Sequence, residues 1–513
     1  MSSQFGLDGV LAYLGNPHPC VTVQLLFTAG LMVLGLGSPE VFTLLPVPLY
    51  SCWHPLTPSD LGGPCEGKGL LPPTLADDMR DVLVCGEARW RPESFPGAVL
   101  AGLRVVVVVV AGLCLDALGR RRSVVAWMGL YFVVAFSRTF APNAEAVVLC
   151  LTLEGAAAQA STLALLLLAA EGSTQSECVR SVCLVVLGHA AGVGAAAPLV
   201  HTFVGDHVYR QMARSLPSLV FVVFIMALPG SARWAVCRGY TQEAALTLKR
   251  SHHLTFDPAI KYKLTALYDE HKASMGQYGC AGHPLKESVM PLLRSGRMLL
   301  TTGLFLTLGL ALGCAASARQ VFHADPYVSF EDRQVAFGAF EFVSLLLLGL
   351  TVTRLGVRKV QVALMSALSL LIPLAYVLDK VAGVWVCGAM VFVSCLGHGC
   401  VVAAQVWMTV GVVRLTPTHS RGFVLGLTYG MATLGHFLPH FDVMGTFAKA
   451  GMYLDVYAEI GVWSIVTFVA GLLCLLLPRT PPSLPDTLAH IYVRKELQDE
   501  KPDPEEECEN TQL

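Results

Sequence analysis

Long apolar runs, separated by short charged or Pro- and Gly-containing segments, repeat along almost the whole chain. Each run holds about 20 residues, enough for a helix to cross the hydrocarbon core of a bilayer. The pattern predicts twelve transmembrane helices in a 6+6 arrangement, because a long polar segment follows the sixth run. The predicted spans are Val21–Leu45, Pro96–Leu118, Ser123–Ala141, Ala146–Ala170, Cys178–Phe203, Met212–Leu228, Met298–Ala318, Gln334–Leu355, Val360–Leu378, Gly383–Met408, Gly422–Met444 and Gly451–Leu477.

Lys and Arg residues in the short loops predict the orientation of these spans. Clusters at Arg120–Arg122 and at Arg354, Arg358 and Lys359 fall on one side, which we assign to the cytoplasm. The chain then divides into consecutive predicted segments. They are a cytoplasmic N-terminus over 1–20, an N-terminal six-helix bundle over 21–228 with an extracellular loop over 46–95, a cytoplasmic central loop over 229–297, a C-terminal six-helix bundle over 298–478 and a cytoplasmic acidic tail over 479–513.

The composition supports an all-α polytopic membrane protein and excludes two other classes. Hydrophobic residues make up 54% of the chain and charged residues 14%, against about 25% charged in ordinary soluble proteins. A soluble multidomain enzyme is therefore excluded. With 35 basic against 37 acidic residues the formal charge is −2, so no basic field exists for binding nucleic acid. No cleavable signal peptide is evident, and we expect the first span to be an uncleaved anchor.

The cysteines predict no metal site. Cys52, Cys65 and Cys85 fall in the predicted extracellular loop, where an oxidising exterior permits one disulfide and leaves one thiol, in any pairing. The remaining cysteines show no C-x-x-C spacing and are expected to pack as small apolar residues. No nucleophile motif, phosphate loop or cofactor motif appears either, so we expect no cofactor and no enzymatic activity.

A charged loop motif occurs at the same place in both halves. Asp116, Gly119, Arg120 and Arg121 stand at the inner end of the second span, and Arg354 and Arg358 stand at the inner end of the eighth span. A duplicated six-helix unit explains this repetition. The arrangement resembles the major facilitator superfamily, and the resemblance implies loops that switch the protein between conformations. Arg233 and Arg421 belong to the same predicted set of switch residues.

Further motifs resemble the organic cation and organic anion transporters, solute carrier family 22. Five segments match that family's motifs in the same order and cover nearly the whole chain. They are Asp81–Cys85 with Arg89-Trp90, Pro229–Trp234 with Gly239 and Glu243-Ala244, Gly338–Glu341, Pro417–Arg421 and Leu484–Thr487. The resemblance implies a transporter that moves a small organic solute or ion by alternating access.

The chain also departs from the family pattern. Ala117 replaces an Arg, Thr353 an Asp, Gly230 a Glu and Arg414 another Glu. In such transporters these groups are expected to form ion pairs at the cytoplasmic ends of the helices. Several arginines of this chain are therefore expected to have lost their partners, which would shift the balance between conformations.

Charged residues deep in the spans are candidates for the solute site. Arg104 and Glu154 each lie about eight residues from the outer end of a helix, hence about 12 Å deep. A charge at that depth is costly unless it is paired or hydrated. The two are expected either to pair with each other, as a purely structural ion pair, or to face a watery cavity. Glu341 lies at a similar depth in the eighth span without an obvious basic partner in its own half, and is expected in the cavity wall.

Two further candidates lie in the eleventh span. Thr433 occupies the position where the family carries an Arg in anion carriers and an Asp in cation carriers, so it brings no charge to select a solute. His436 shares a helix face with His440, and with His398 of the tenth span could relay protons or hold a metal. Histidines that pack against nearby polar groups are the alternative interpretation.

The sequence therefore favours a multi-pass transporter of the plasma membrane, with the bilayer and a small organic solute as its partners. A carrier-like protein that has lost transport and acts as a binding, receptor or scaffold protein is the alternative. The chain ends in Thr511-Gln512-Leu513, a sequence that fits capture of a free C-terminus by a PDZ domain.

Overall fold

A computed structural model describes residues 7, 10, 21–37, 95–141, 144–175, 177–204, 207–226, 230–252, 258–277, 284–321, 330–380, 384–438 and 456–478. Within these ranges the chain is helical and holds no strand. Twelve helical segments of the described part overlap the twelve predicted spans. Six helices there are long and apolar enough to cross a membrane, and three more are apolar but shorter.

The first half contains six of these helical segments. The fifth segment contains a π-helical turn, Gly192–Ala196, and continues as a helix beyond it. The turn lies where Pro198 has no backbone N–H to donate to the carbonyl four residues earlier. The segments are α1 (Val21–Gly37), α2 (Phe95–Leu118), α3 (Arg120–Arg138), α4 (Ala144–Glu171), α5 (Cys178–Ala191) with the π-helical turn and α6 (Ala197–Phe203), and α7 (His207–Met226).

Four helices, of 6 to 20 residues, precede the second half. They are α8 (Ala232–Cys237), α9 (Thr241–His252), α10 (Pro258–Gln277) and α11 (Pro284–Arg294). Helix α8 begins where the hydroxyl of Ser231 accepts a hydrogen bond from the backbone N–H of Trp234. Together α8, α9 and α10 enclose a small apolar core around Trp234 and Leu264.

The second half repeats the six-helix layout. Gly356 adopts a φ of 71° between its second and third helices, as Gly119 does with a φ of 96° in the first half. A left-handed residue is favourable only for glycine at such a turn. The helices are α12 (Gly296–Val321), α13 (Phe330–Leu355), α14 (Val357–Lys380), α15 (Val384–Leu415), α16 (Arg421–Phe437) and α17 (Val456–Leu473), followed by a 3₁₀ turn at Cys474–Leu476.

The two halves meet along two seams, where α2 packs against α16 and α5 packs against α13. Glycines let the backbones approach in both seams. A Cβ atom on Gly112 of α2 would lie 2.5 Å from the carbonyl oxygen of Gly422 and 2.8 Å from the Cα of Gly426. In the second seam a Cβ atom on Gly194 would lie 2.9 Å from the Cα of Gly338.

Several predictions concern residues outside the described ranges. Cys52, Cys65 and Cys85, His440, the acidic tail and its end at Thr511–Leu513 are among them, as is the side chain of Arg354. The division into segments and their orientation stay predictions, so the end that carries α8–α11 is called the predicted cytoplasmic end below.

Candidate functional site

A buried charged network joins the two halves at the predicted cytoplasmic end. Its centre is Glu171, the last residue of α4, whose carboxylate accepts hydrogen bonds from Nε and Nη2 of Arg120 at 3.1 and 2.9 Å. Arg421 of the second half approaches the same carboxylate at 3.6 Å. All three side chains are fully buried. Two arginines therefore share one carboxylate, which makes Glu171 the counter-ion for both halves.

Asp116 connects the first half directly to the start of α16. Its two carboxylate oxygens accept hydrogen bonds from the backbone N–H groups of Gly422 and Phe423, at 3.0 and 2.8 Å. These are first-turn N–H groups with no partner inside their own helix, and a carboxylate there also complements the helix dipole. Arg120 completes the link by donating to the carbonyl of Thr418 at 2.7 Å.

Helix α8 covers this network from the side. The hydroxyl of Ser231 donates to Glu171 at 2.5 Å, and Nε of Arg233 donates to the Glu171 carbonyl at 3.1 Å. The Trp234 ring packs against the Cα of Gly119, and its Nε1 donates to the Asp116 carbonyl at 2.8 Å. The helices between the halves thus stabilise the closed form of this end.

The expectation that arginines had lost their partners is wrong for the described members of the set. Arg120, Arg233 and Arg421 are each bonded within the network. Arg414, which replaces a family Glu, donates to the carbonyl of Gln175 across the two halves at 2.6 Å. A charge-assisted hydrogen bond to a backbone carbonyl takes the place of an ion pair. Arg121 and Arg358 are half-buried.

A histidine pair borders the network in the loop between α15 and α16. The rings of His419 and His271 lie 5.4 Å apart, and both side chains are buried. Burial lowers the pKa of His419 well below its ordinary value, and His271, Arg238, Arg421 and Arg120 lower it further. His419 is therefore neutral in the closed form.

Acid is expected to weaken the closed form through His419. Because the pKa of His419 is lowered in the closed form, that form binds a proton on His419 less readily than an opened or unfolded form does. The stabilisation is complete above the ordinary histidine pKa, about 6.5, and falls as the pH drops through that value. His419→Gln should reduce the loss of unfolding temperature between about pH 7.5 and about pH 5.5. An unchanged loss in this variant would remove His419 as the cause.

A layer of uncharged polar side chains lies near the middle of the helices. The hydroxyl of Thr433 in α16 lies 3.2 Å from Nε2 of Gln159 in α4, so this hydrogen bond also crosses the two halves. One turn earlier, the hydroxyl of Tyr429 lies 2.8 Å from that of Thr409 in α15. One turn before Thr409, Gln405 is fully buried, and neither atom of its amide has a hydrogen-bond partner among the described residues.

Glu341 forms hydrogen bonds with histidines of both halves, and its predicted place in a cavity wall stays a prediction. It is fully buried, and its Oε1 lies 2.8 Å from Nδ1 of His189 in α5, across the halves. Its Oε2 lies 3.3 Å from Nε2 of His398 in α15. The expectation of no basic partner in its own half is therefore wrong, because His398 belongs to that half. His398 also stacks on Phe337, with ring centroids 4.7 Å apart.

Arg104 and Glu154 lie at the same depth along their helices, as the sequence predicted. Glu154, however, forms its ion pair with another arginine. A Cβ atom on Gly155 would lie 3.3 Å from the guanidinium carbon of Arg104, so Arg104 does reach this turn of α4. The Glu154 carboxylate, however, pairs with Nη1 of Arg138 at 3.1 Å, and Arg214 acts on it electrostatically as well. Arg138 comes from the outer end of α3.

His436 is buried beside Phe437, with ring centroids 6.0 Å apart. Its predicted companion His398 is instead bonded to Glu341. The described residues hold no group of three or more His, Cys, Asp or Glu side chains that could bind a metal ion.

Several residues of these sites escaped the sequence analysis. Glu171, His189 and Gln405 each gain their role from a contact between distant helices. Only Glu171 carried a usable signal, since an acidic residue stands alone at the end of a 28-residue apolar helix.

The fold matches that of solved transporters of the major facilitator superfamily. A proton:xylose symporter, XylE, bound to 6-bromo-6-deoxy-D-glucose superimposes with a TM-score of 0.62 at 14% identity, covering 93% of this chain and 98% of that one. The inward-open xylose transporter XylE from E. coli gives 0.54 at 15% identity, covering 92% and 99%.

Sequence comparison finds relatives in one family of solute carriers. Solute carrier family 22 member 13 of Homo sapiens is 24% identical over 95% of this chain and 81% of its own length. Member 12 of Rattus norvegicus is 28% identical over 80% and 71%. No family model matches the chain. The relatives that this chain matches are members of solute carrier family 22, and the predicted all-α 6+6 fold is confirmed.

Proposed function

We propose that this protein carries a small, hydrogen-bonding organic solute across the membrane by alternating access. The two halves would rock about the α2–α16 and α5–α13 seams. The uncharged layer of Gln159, Gln405, Thr409, Tyr429 and Thr433, called the central layer below, would bind the solute.

The Gln405 amide is the observation that carries this proposal. A buried amide without partners costs about 1–3 kcal/mol, and a purely structural bundle would gain stability by placing an apolar residue there. Gln405 is fully buried and unpartnered among the described residues, on the same face of α15 as Thr409. An amide held in this state supplies one donor group and one acceptor for a ligand.

The chemistry of the central layer indicates the class of solute. Its members offer hydroxyl and amide groups and no formal charge. Glu341 and Glu154 already have partners of their own. An uncharged polar solute satisfies the layer without leaving a buried charge unpaired.

The network at the predicted cytoplasmic end favours transport over the scaffold alternative. Asp116 and Arg120 hold the second half through bonds to backbone groups of Gly422, Phe423 and Thr418. Such bonds reform with water when the halves separate, so the closed and open forms can differ by only a few kcal/mol. A permanent scaffold has no need of a polar contact there.

Uptake into proteoliposomes tests this function. The panel contains labelled uncharged polar solutes, organic cations and organic anions. We expect saturable uptake of an uncharged member, reduced about tenfold or more in Gln405→Leu, since one lost hydrogen bond of about 1.4 kcal/mol is tenfold in affinity. Gln361→Leu is the matched control, because Gln361 is equally buried and unpartnered among the described residues but lies at the start of α14.

The stability of Gln405→Leu separates a lost site from a lost fold. Removing an unsatisfied amide should leave the unfolding temperature unchanged or higher. Normal uptake in this variant would contradict the assignment of the central layer.

We also propose a plasma-membrane location and a PDZ-domain partner for the C-terminus, as the sequence and the resemblance imply. A peptide ending in Glu-Asn-Thr-Gln-Leu should bind a PDZ domain with micromolar affinity, about −8 kcal/mol. Leu513→Ala should abolish binding, since the pocket for the last side chain is left empty. If deletion of Thr511–Leu513 leaves the distribution of the protein on the cell surface unchanged, the proposed PDZ-domain partner is refuted.

A further inference from the structure

The cluster of His189, Glu341 and His398 joins the halves at a second point, away from the charged network. His189 belongs to the first half, and Glu341 and His398 belong to the second. All three side chains are at most 1% exposed. The glycine contact between Gly194 and Gly338 lies beside it, one turn along each helix. Any motion that separates α5 from α13 therefore separates His189 from Glu341.

The two bonds of Glu341 differ in length. The bond to His189 is 2.8 Å and the bond to His398 is 3.3 Å. A charge-assisted bond between a protonated nitrogen and a carboxylate is typically about 2.7–2.9 Å. The shorter and therefore stronger of the two bonds is the one that crosses the halves, between His189 and Glu341.

The net charge of the buried cluster determines whether it binds a proton. With two neutral histidines and an ionised Glu341, the buried cluster would carry one uncompensated negative charge. Such a charge is costly in a low-dielectric interior. One additional proton makes the cluster neutral. When the halves separate and water enters, the carboxylate and the imidazole are hydrated and the proton is no longer required.

Among the described residues, few ionisable groups lie on the elements that pack around this cluster. Helix α1 packs on His189 through Gly35, and its described residues contain no ionisable side chain. The π-helical turn Gly192–Ala196 has none either. Helix α6 carries His201, three turns beyond His189. On α15 the ionisable neighbours of His398 are the thiols Cys395 and Cys400, and the two histidines that bond to Glu341 also act on it electrostatically.

We infer that His189, Glu341 and His398 form a proton-binding site that takes up one proton when α5 closes on α13 and releases it when they part. The closed contact is then most stable at low pH and loses stability as the pH rises through the range in which histidine titrates. Proton binding itself does not depend on transport. Its use to drive a solute rests on the proposed function.

The test measures unfolding temperature against pH for the full-length protein in lipid nanodiscs, with no solute present. As the pH rises from about 5.5 to about 8, the unfolding temperature of wild type should fall by about 2–4 °C more than that of Glu341→Gln. The reason is that the neutral amide needs no proton to be buried. His189→Lys should also remove the pH dependence, because lysine brings a permanent charge to the carboxylate. His201→Gln is the control and should keep the wild-type profile.

If the unfolding temperatures of wild type and Glu341→Gln change with pH by the same amount, the inference is overturned. If Glu341→Gln fails to fold, His189→Lys decides: a wild-type pH profile in that variant overturns the proton site equally. Uptake measured on the same preparations separates the two proposals. Proton-linked stability without uptake would leave the proton site standing and count against transport, whereas uptake without proton-linked stability would do the reverse.

Discussion

Glu171→Gln is expected to lower the free energy of unfolding by about 3–5 kcal/mol, the usual cost of removing one partner from a buried ion pair. The amide would leave Arg120 and Arg421 buried without their shared counter-ion. It would also remove the charge that accepts the Ser231 hydroxyl. Most of the variant should therefore fail to reach the folded state.

The measurement is the yield of monodisperse protein by size-exclusion chromatography, followed by the unfolding temperature of that fraction. Glu177→Gln is the matched control, because Glu177 pairs with Arg180 at 3.1 Å in a half-exposed position. An exposed pair contributes about 0–1 kcal/mol, so this variant should resemble wild type. Equal behaviour of the two variants would contradict the central role of Glu171.

Gly112→Ala is expected to open the α2–α16 seam and to destabilise the protein, whereas Gly102→Ala on the same helix is not. The new Cβ at Gly112 meets the backbone of Gly422 and Gly426, which cannot rotate away as a side chain could. Overpacking of this kind costs about 1–3 kcal/mol. Gly102 has no heavy atom within 4 Å of the corresponding position, and alanine is about 1 kcal/mol better than glycine in a helix.

The two alanine variants should therefore shift the unfolding temperature in opposite directions. Gly112→Leu should exaggerate the effect and also expose the Asp116 contact with α16, since the helices must move apart. A seam that tolerates leucine at Gly112 as well as at Gly102 would show that close backbone contact between α2 and α16 is not required.

The positions of the membrane spans could be predicted from the sequence because they depend on local composition. The fifth predicted span, Cys178–Phe203, has the same ends as α5, the π-helical turn and α6 together. The third predicted span, Ser123–Ala141, begins and ends three residues later than α3, since Arg120–Arg122 form the first turn of that helix. Apolar length determines a crossing, whereas the ends depend on capping contacts made later.

The partners of the buried charges could not be predicted in the same way. Depth along a helix places Arg104 and Glu154 near one level, but Glu154 pairs with Arg138, which stands only three residues from the end of its predicted span. His189 and Glu341 are 152 residues apart in sequence, and no local pattern relates them. The departures from the family pattern were visible, but their compensation by Glu171 and by the Gln175 carbonyl exists only in three dimensions.

Alternating access is the central claim, and the distance between the halves at each end of the molecule tests it most directly. Spin labels carried by unnatural amino acids would replace Arg122 and Lys359, exposed at the predicted cytoplasmic end, and in a second sample Phe140 and Val335, exposed at the other end.

We predict two distance populations at each end in nanodiscs. Asp116→Asn, which weakens the bonds to Gly422 and Phe423, should lengthen the first distance and shorten the second. A single, unchanged distance at both ends, in wild type and in Asp116→Asn alike, would contradict alternating access and favour a scaffold.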